Sequence, residues 1–95
     1  MRLDEFKRKG FKRGDLVEIT LSSNATEYGD GETYYLPDMF TNEPGRLKSG
    51  YYLSNDSVFV VLANEWDKTA NSFKEGSTRI IYDFDVVESA EKKQN

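Results

Sequence analysis

The chain has 95 residues and a mass of 10.9 kDa, which is the usual size of one domain. It contains neither Cys nor His, which excludes disulfides and thiolate metal sites and removes the most common zinc ligand and general base. The formal net charge is -4 and the mean hydropathy is -0.74, values that argue against a membrane protein and against binding to nucleic-acid phosphates. We therefore expect one acidic, non-enzymatic domain without a metal ion or other cofactor.

The N-terminal segment has the features of a short helix and none of a targeting sequence. Leu3 and Phe6 are spaced as on one helix face, and Gly10 offers the left-handed conformation that ends many helices. Acidic residues precede basic residues by four positions, which stabilises a helix. We predict a helix over residues 1–10 and, because no signal-peptide stretch is present, a cytoplasmic protein. The two charged pairs are Asp4 with Arg8 and Glu5 with Lys9.

Four later segments have the patterns of β-strands. Apolar and polar residues alternate over residues 16–21, 46–53 and 79–87, and residues 58–62 form a continuous apolar run. Residues 54–57 have the composition of a turn, so the second and third of these segments in chain order are predicted to form a hairpin.

The alternation also predicts which residues of a strand point to the core. Within the second of these segments, Leu47 and Tyr51 are expected on the inner face. Arg46, Lys48 and Tyr52 are expected on the outer face, where they would be exposed to solvent.

The layout of these segments resembles that of the SH3-like and Sm-like small barrels. The resemblance is carried by residues 11–19, 45–50 and 79–87, which correspond to the first strand, the start of the second and the closing strands. It implies a mainly β fold, namely a small SH3-like antiparallel barrel of about five strands with a short N-terminal helix. We accordingly predict a single β-barrel domain over residues 11–89 and a frayed C-terminal tail over residues 90–95.

The resemblance does not extend to a binding site. Sm-like proteins that bind RNA carry Asp and Asn in the loop after the second strand and an Arg-Gly pair before the last strand. This chain has Ser54-Asn55-Asp56-Ser57 and Ser77-Thr78-Arg79-Ile80 at those places. The RNA pocket of that family is therefore not transferred to this chain.

The long connection over residues 22–45 is acidic. From Gly14 to Gly45 there are seven acids and no Lys or Arg, so we expect a negative surface that either only keeps the protein soluble or also attracts a partner. Residues 22–31 are predicted to be a mobile loop. Residues 32–36 are predicted to be an edge strand, which would permit an edge-paired dimer.

Aromatic residues in this connection are the main candidates for a binding site. Aromatic side chains and Met are enriched at the centres of protein interfaces, and surrounding acids would steer the complex onto a basic surface. We predict a protein-binding module, and one hypothesis is a small phage or mobile-element protein that inhibits a host protein by occupying its nucleic-acid site. The alternative is that the rings only cover the mouth of the barrel. The predicted protein-binding residues are Glu27, Tyr28, Asp30, Glu32, Tyr34, Tyr35, Asp38, Met39 and Phe40.

A nucleic-acid-binding small barrel is the main alternative function. Small barrels bind single strands by stacking bases on exposed rings beside cations. Tyr52 would be the ring, Arg46 and Lys48 its neighbours, and Arg79 the cation across the sheet. The sequence pI of about 4.8 disfavours this function, since a basic surface is expected for it.

Two groups of carboxylates are considered for catalysis and metal binding. Asp83 and Asp85 are two residues apart on a predicted strand and would share one face, as a catalytic dyad would require. Glu27, Asp30 and Glu32 offer hard oxygen ligands but lack the spacing of a calcium-binding loop. We predict neither a catalytic residue nor a metal ligand.

Overall fold

The computed structural model describes residues 1–21, 27–29 and 46–93 of a mainly β protein with one short α-helix. An additional 3-10 helix covers Phe84–Val86. The other elements in chain order are α1 (Leu3–Arg8), β1 (Leu16–Leu21), β2 (Glu27–Gly29), β3 (Arg46–Asn55), β4 (Phe59–Ala63), β5 (Trp66–Asp67), β6 (Ser72–Phe73), β7 (Arg79–Asp83) and β8 (Val87–Lys92).

Six strands form one antiparallel sheet in the order β2-β7-β4-β3-β1-β8. The remaining strands, β5 and β6, form a separate hairpin. Across the described residues β2 and β8 are the two edges of the main sheet and do not pair with each other, so the sheet is open there. The predicted loop over residues 22–31 contains β2, and the predicted edge strand over residues 32–36 lies outside the described residues.

The inner face of the main sheet forms the hydrophobic core. Val17, Ile19 and Leu21 are fully buried and alternate with half-buried residues along β1, as predicted. Phe6 of α1 packs on this face, with its ring centroid 5.1 Å from that of Phe84. Burying each such side chain contributes about 1.5–3 kcal/mol to folding. The other buried core residues are Val60, Leu62, Tyr82, Val87 and Ala90.

The predicted faces of β3 are the wrong way round. Ile19, whose side chain is in the core, pairs with Lys48, and directly opposite residues share a face. The even-numbered residues of β3 from Lys48 to Tyr52 are therefore on the inner face, while Leu47 is 58% exposed. The alternation was ambiguous because each face of this segment carries a tyrosine, and the register with β1 decides between them.

The predicted strand over residues 79–87 is two strands separated by a 3-10 turn. The Asp83 carboxylate accepts a hydrogen bond of 2.9 Å from the backbone N–H of Asp85 and caps this turn. The chain then enters β8, which pairs with β1. Asp83 and Asp85 therefore do not share a strand face. The predicted frayed tail is also wrong up to Lys92, because residues 90–92 belong to β8 and Ala90 is fully buried.

The predicted N-terminal helix is confirmed as α1. Gly10 has a φ of 67° just beyond the end of the helix, which only glycine adopts at little cost. Arg8 lies 3.4 Å from Asp4 as predicted, whereas Lys9 contacts Glu91 of β8 at 3.1 Å. This second contact ties the helix to the edge of the sheet. Within the described part of the chain, no helix has the length and apolar character needed to cross a membrane.

Candidate functional site

Most of the predicted protein-binding site lies outside the described residues. This holds for Asp30, Glu32, Tyr34, Tyr35, Asp38, Met39 and Phe40. Glu27 and Tyr28 belong to β2, and Tyr28 is opposite Ile81 of β7 in the backbone register. The two predicted site residues that the structure describes therefore lie on an edge strand next to β7.

The register separates Arg79 from the other residues of the predicted nucleic-acid site. Lys48 and Tyr52 belong to the inner face of β3, whereas Arg79 is on the outer face of the sheet. Tyr52 packs against the core, with its ring centroid 6.0 Å from that of Phe6, and its hydroxyl donates a 2.5 Å hydrogen bond to Asn55 Oδ1. Burial raises the pKa of the Tyr52 hydroxyl above its ordinary value of 10.0. Arg79 is on β7 and pairs in register with Ala63, whereas Lys48 pairs with Ile19 on the inner side. Arg46, whose backbone alone is described, pairs with Leu21.

A group of rings and guanidinium groups is instead assembled on the outer face of the sheet. We call it the outer-face cluster. Its members are Arg13, Tyr51, Trp66, Phe73 and Arg79.

The cluster is built in two layers. Tyr51, Ala63 and Arg79 are register neighbours across β3, β4 and β7 and form the lower layer. Trp66 and Phe73, which are opposite each other in the β5–β6 hairpin, form the upper layer. The Ala63 side chain is small and fully buried, which lets the hairpin approach the sheet.

Each ring of the hairpin covers one residue of the sheet. The Trp66 ring stacks on the Tyr51 ring with a centroid distance of 6.2 Å and an interplanar angle of 28°. The Arg79 guanidinium lies 4.1 Å from the centroid of the Phe73 ring. Both contacts have the geometry of favourable ring interactions, worth roughly 0.5–1.5 kcal/mol for a ring pair and about 0.5–2 kcal/mol for a cation over a ring.

Arg13 reaches the cluster from the turn before β1. Its guanidinium lies 5.8 Å from the centroid of the Trp66 ring. The next residue, Gly14, has a φ of 92°, and a Cβ atom there would be 2.9 Å from Trp66 Nε1. The Trp66 ring therefore packs closely against the backbone of Gly14 and next to the Arg13 guanidinium.

The turn of the hairpin is fixed by local hydrogen bonds. The Asp67 carboxylate accepts bonds of 2.9 Å and 3.2 Å from the backbone N–H groups of Thr69 and Ala70. Asn71 has a positive φ of 51°, a conformation that Asn tolerates better than most residues. These features hold Trp66 and Phe73 opposite each other at the base of the hairpin.

The rings of the cluster are accessible in part. Tyr51, Trp66, Phe73 and Arg79 are half-buried, and Arg13 is exposed. A half-buried group of Trp, Tyr, Phe and Arg side chains can contact a partner with apolar ring surface and with guanidinium groups at once. No group of three or more metal-ligating side chains is found among the described residues.

The charge of the described residues is balanced. All 13 Lys and Arg residues lie within the described ranges, as do all but four of the 17 acids. Two acids of the predicted negative surface are paired, Asp15 with Lys92 and Glu18 with Lys93, each at 3.5 Å. The whole net charge of -4 therefore belongs to the acids outside the described residues, which are Asp30, Glu32, Asp38 and Glu43.

Sequence reasoning missed the cluster except for Arg79. No strand was predicted between residues 64 and 77, where Trp66 and Phe73 lie. An Asp followed by polar residues between the single Trp and a Phe is a hairpin pattern that could have been used. The contact of Arg13 with this hairpin joins residues 58 positions apart, and no local pattern predicts it.

Comparisons with protein-family models, with curated proteins and with solved structures each found no match.

Proposed function

We propose that the protein is a non-enzymatic protein-binding module and that the outer-face cluster contacts the partner. The observation that carries this proposal is the stack of Trp66 on Tyr51 with a guanidinium at 5.8 Å, half-buried on an outer sheet face. Trp, Tyr and Arg are the residues in which binding hot spots are most enriched. The guanidinium groups of Arg13 and Arg79 are not explained by packing of an apolar core, because burying a charge there is costly.

We also propose that the fold is of the SH3-like small-barrel type. The last strand, β8, returns to pair with the first, β1, so that β1 lies between β3 and β8. The connection from β7 to β8 is a single 3-10 turn. A last strand that follows a single 3-10 turn and pairs with the first strand supports this type, and closure into a barrel remains a prediction.

The partner is proposed to present a basic surface around an apolar centre. The surplus negative charge of the chain lies between residues 30 and 45, and β2, which precedes this segment, pairs with β7 beside Arg79. Acids at the margin of an interface raise the association rate with a basic partner. Inhibition of a host protein at its nucleic-acid site, as for a small phage protein, is one function that such binding would serve.

The test is affinity capture from a nuclease-treated bacterial lysate, followed by binding measurements with the purified captured protein. We expect one stoichiometric partner, and we expect Trp66→Ala to weaken its binding by about tenfold or more, as loss of a hot spot does. Val58→Ala is the control, because Val58 is 46% exposed and immediately precedes β4, at the end of the strand away from Ala63. Loss of all bound protein on nuclease treatment, or unchanged binding by folded Trp66→Ala, contradicts the proposal.

The steering role of the acids is tested separately. Charge reversal of Glu27, Asp30, Glu32 and Asp38 should slow association with the same partner, and added salt should slow association of the natural protein. An association rate unchanged by the four reversals would show that these acids only keep the protein soluble.

Single-stranded nucleic acid is the second candidate ligand of the outer-face cluster. The observation that favours it is the near-parallel orientation of the Tyr51 and Trp66 rings, since bases stack on such rings beside cations. The expected result for this candidate is quenching of Trp66 fluorescence by a mixed oligonucleotide at low salt, reversed by high salt. Absence of quenching at low salt would exclude it.

A further inference from the structure

Arg13 connects three parts of the molecule. Its Nε donates a 2.8 Å hydrogen bond to the carbonyl oxygen of Asn71, at the turn of the β5–β6 hairpin. One terminal nitrogen donates to Ser72 Oγ at 3.1 Å, and the other donates to the carbonyl oxygen of Leu53 in β3 at 3.3 Å. One side chain thus joins the hairpin to the main sheet.

The backbone that carries Arg13 is itself fixed to the sheet. The N–H of Gly14 donates a 2.8 Å bond to the carbonyl oxygen of Tyr52, and the N–H of Tyr52 donates a 2.8 Å bond to the carbonyl oxygen of Asp15. The Asp15 carboxylate also accepts a 2.8 Å bond from the N–H of Lys12. Arg13 therefore projects from a rigid turn.

The hairpin has little of its own to hold it in place. Each of its strands has two residues, and an isolated two-stranded hairpin is at best marginally stable in water. Its backbone is joined to the rest of the chain at its base, where the N–H of Asn64 donates to the carbonyl oxygen of Thr78 at 2.9 Å. Near its turn, Asn71 and Ser72 accept hydrogen bonds from the Arg13 side chain.

We infer that Arg13 is the positioning residue of the outer-face cluster, because it fixes the hairpin on the sheet and thereby fixes the Trp66 ring on Tyr51. The planar guanidinium presents donors in a fixed fork, and here the three donors reach acceptors on two different elements. A Lys side chain at this position would keep the positive charge but would lack the planar group that donates to several acceptors at once. The inference deepens the proposed function, since the ring that Arg13 places belongs to the proposed binding surface.

Trp66 is the only tryptophan of the chain, so its fluorescence reports on the cluster directly. We expect Arg13→Ala and Arg13→Lys to move the native emission to longer wavelength and to increase quenching by acrylamide, with the far-ultraviolet circular dichroism unchanged. Lys12→Ala is the matched control, because it removes the neighbouring exposed cation and keeps the bond that the backbone N–H of residue 12 donates to Asp15. It should leave both fluorescence readouts as they are.

Two results would overturn the inference. Native-like emission and quenching in Arg13→Ala would overturn it. Restoration of both readouts by Arg13→Lys would also overturn it, because charge alone would then suffice. If Arg13→Ala does not fold, Arg13→Lys and Ser72→Ala carry the test, and the latter should give a smaller change in the same direction because it removes one of the three bonds.

The fluorescence test does not depend on a partner. If no partner protein is captured, the proposed function fails while the positioning role of Arg13 is still decided by the emission of Trp66. If a partner is captured, Arg13→Ala should weaken its binding as Trp66→Ala does, and Lys12→Ala should not.

Discussion

The two faces of the main sheet are made by alternate residues of the same strands, yet they differ in burial and in the chemistry of their side chains. On the inner face Val17, Ile19 and Leu21 are fully buried beneath α1. On the outer face Tyr51 and Arg79 are half-buried beneath a hairpin that contributes one ring to each. The contrast teaches that the inner face supplies most of the buried apolar surface, whereas the outer face carries the half-buried rings and cations that we propose for binding.

The largest expected effect comes from a cavity in the inner face. Ile19→Ala should lower the free energy of unfolding by about 2–5 kcal/mol, because the removed atoms lose their burial and leave a cavity. Thr20→Ala, one residue further along β1 on the outer face, should change it by no more than about 0.5 kcal/mol. Urea denaturation followed by circular dichroism measures both. Equal losses for the two variants would remove the distinction between the faces.

The next largest effect is expected at Gly14, where the Trp66 ring packs against the backbone. Gly10 and Gly14 both have positive φ values, so alanine at either position costs about 1–2 kcal/mol in backbone strain. Only at Gly14 would the new Cβ atom meet the Trp66 ring, whereas at Gly10 nothing lies within 4 Å. Gly14→Ala should therefore cost about 1 kcal/mol or more beyond Gly10→Ala and should also shift Trp66 emission. An unchanged emission in Gly14→Ala would show that the ring is not held against the turn.

A smaller effect is expected from the hydroxyl at the margin of the core. Tyr52→Phe removes the hydrogen bond to Asn55 and should cost about 1 kcal/mol at pH 7. Because burial raises the pKa of Tyr52 in the folded protein, the natural protein keeps its full stability below pH 10 and loses part of it as the pH rises through the raised pKa. Denaturation at pH 7 and above pH 10 should show Tyr52→Phe gaining relative to the natural protein, and a constant difference would contradict this.

How far the fold could be predicted from the sequence depended on the range of the interactions. The helix end at Gly10, strand β1 and the hairpin of β3 and β4 follow local patterns and are confirmed. The 3-10 turn was missed because its apolar residues continue the alternation of β7. The strand is interrupted where the Asp85 N–H donates to the Asp83 carboxylate and the Val87 N–H donates to the carbonyl oxygen of Phe84.

The candidate site was less predictable for a different reason. Tyr52 was predicted at the surface and Tyr51 in the core, yet only pairing with β1 fixes which tyrosine points inward. No role was predicted for Arg13, because its contacts are with acceptors on β3 and on the distant hairpin. Patterns within one strand contain no information on such contacts.

The smallest effect should come from the charges that join β1 to β8. Glu18 and Lys93 are 3.5 Å apart and partly exposed, so a double-mutant cycle with Glu18→Gln and Lys93→Gln should give a coupling of roughly 0.2–1 kcal/mol. The backbone bond from Lys93 to Leu16 is present in every member of the cycle and cancels.

The coupling should fall toward zero in 1 M salt, where the screening length is about 3 Å. A coupling that persisted at this salt concentration would mean that these charges hold the strands together as the core does. Its loss with salt would show that this pair contributes little to folding at high ionic strength, as expected of an exposed pair whose attraction is screened.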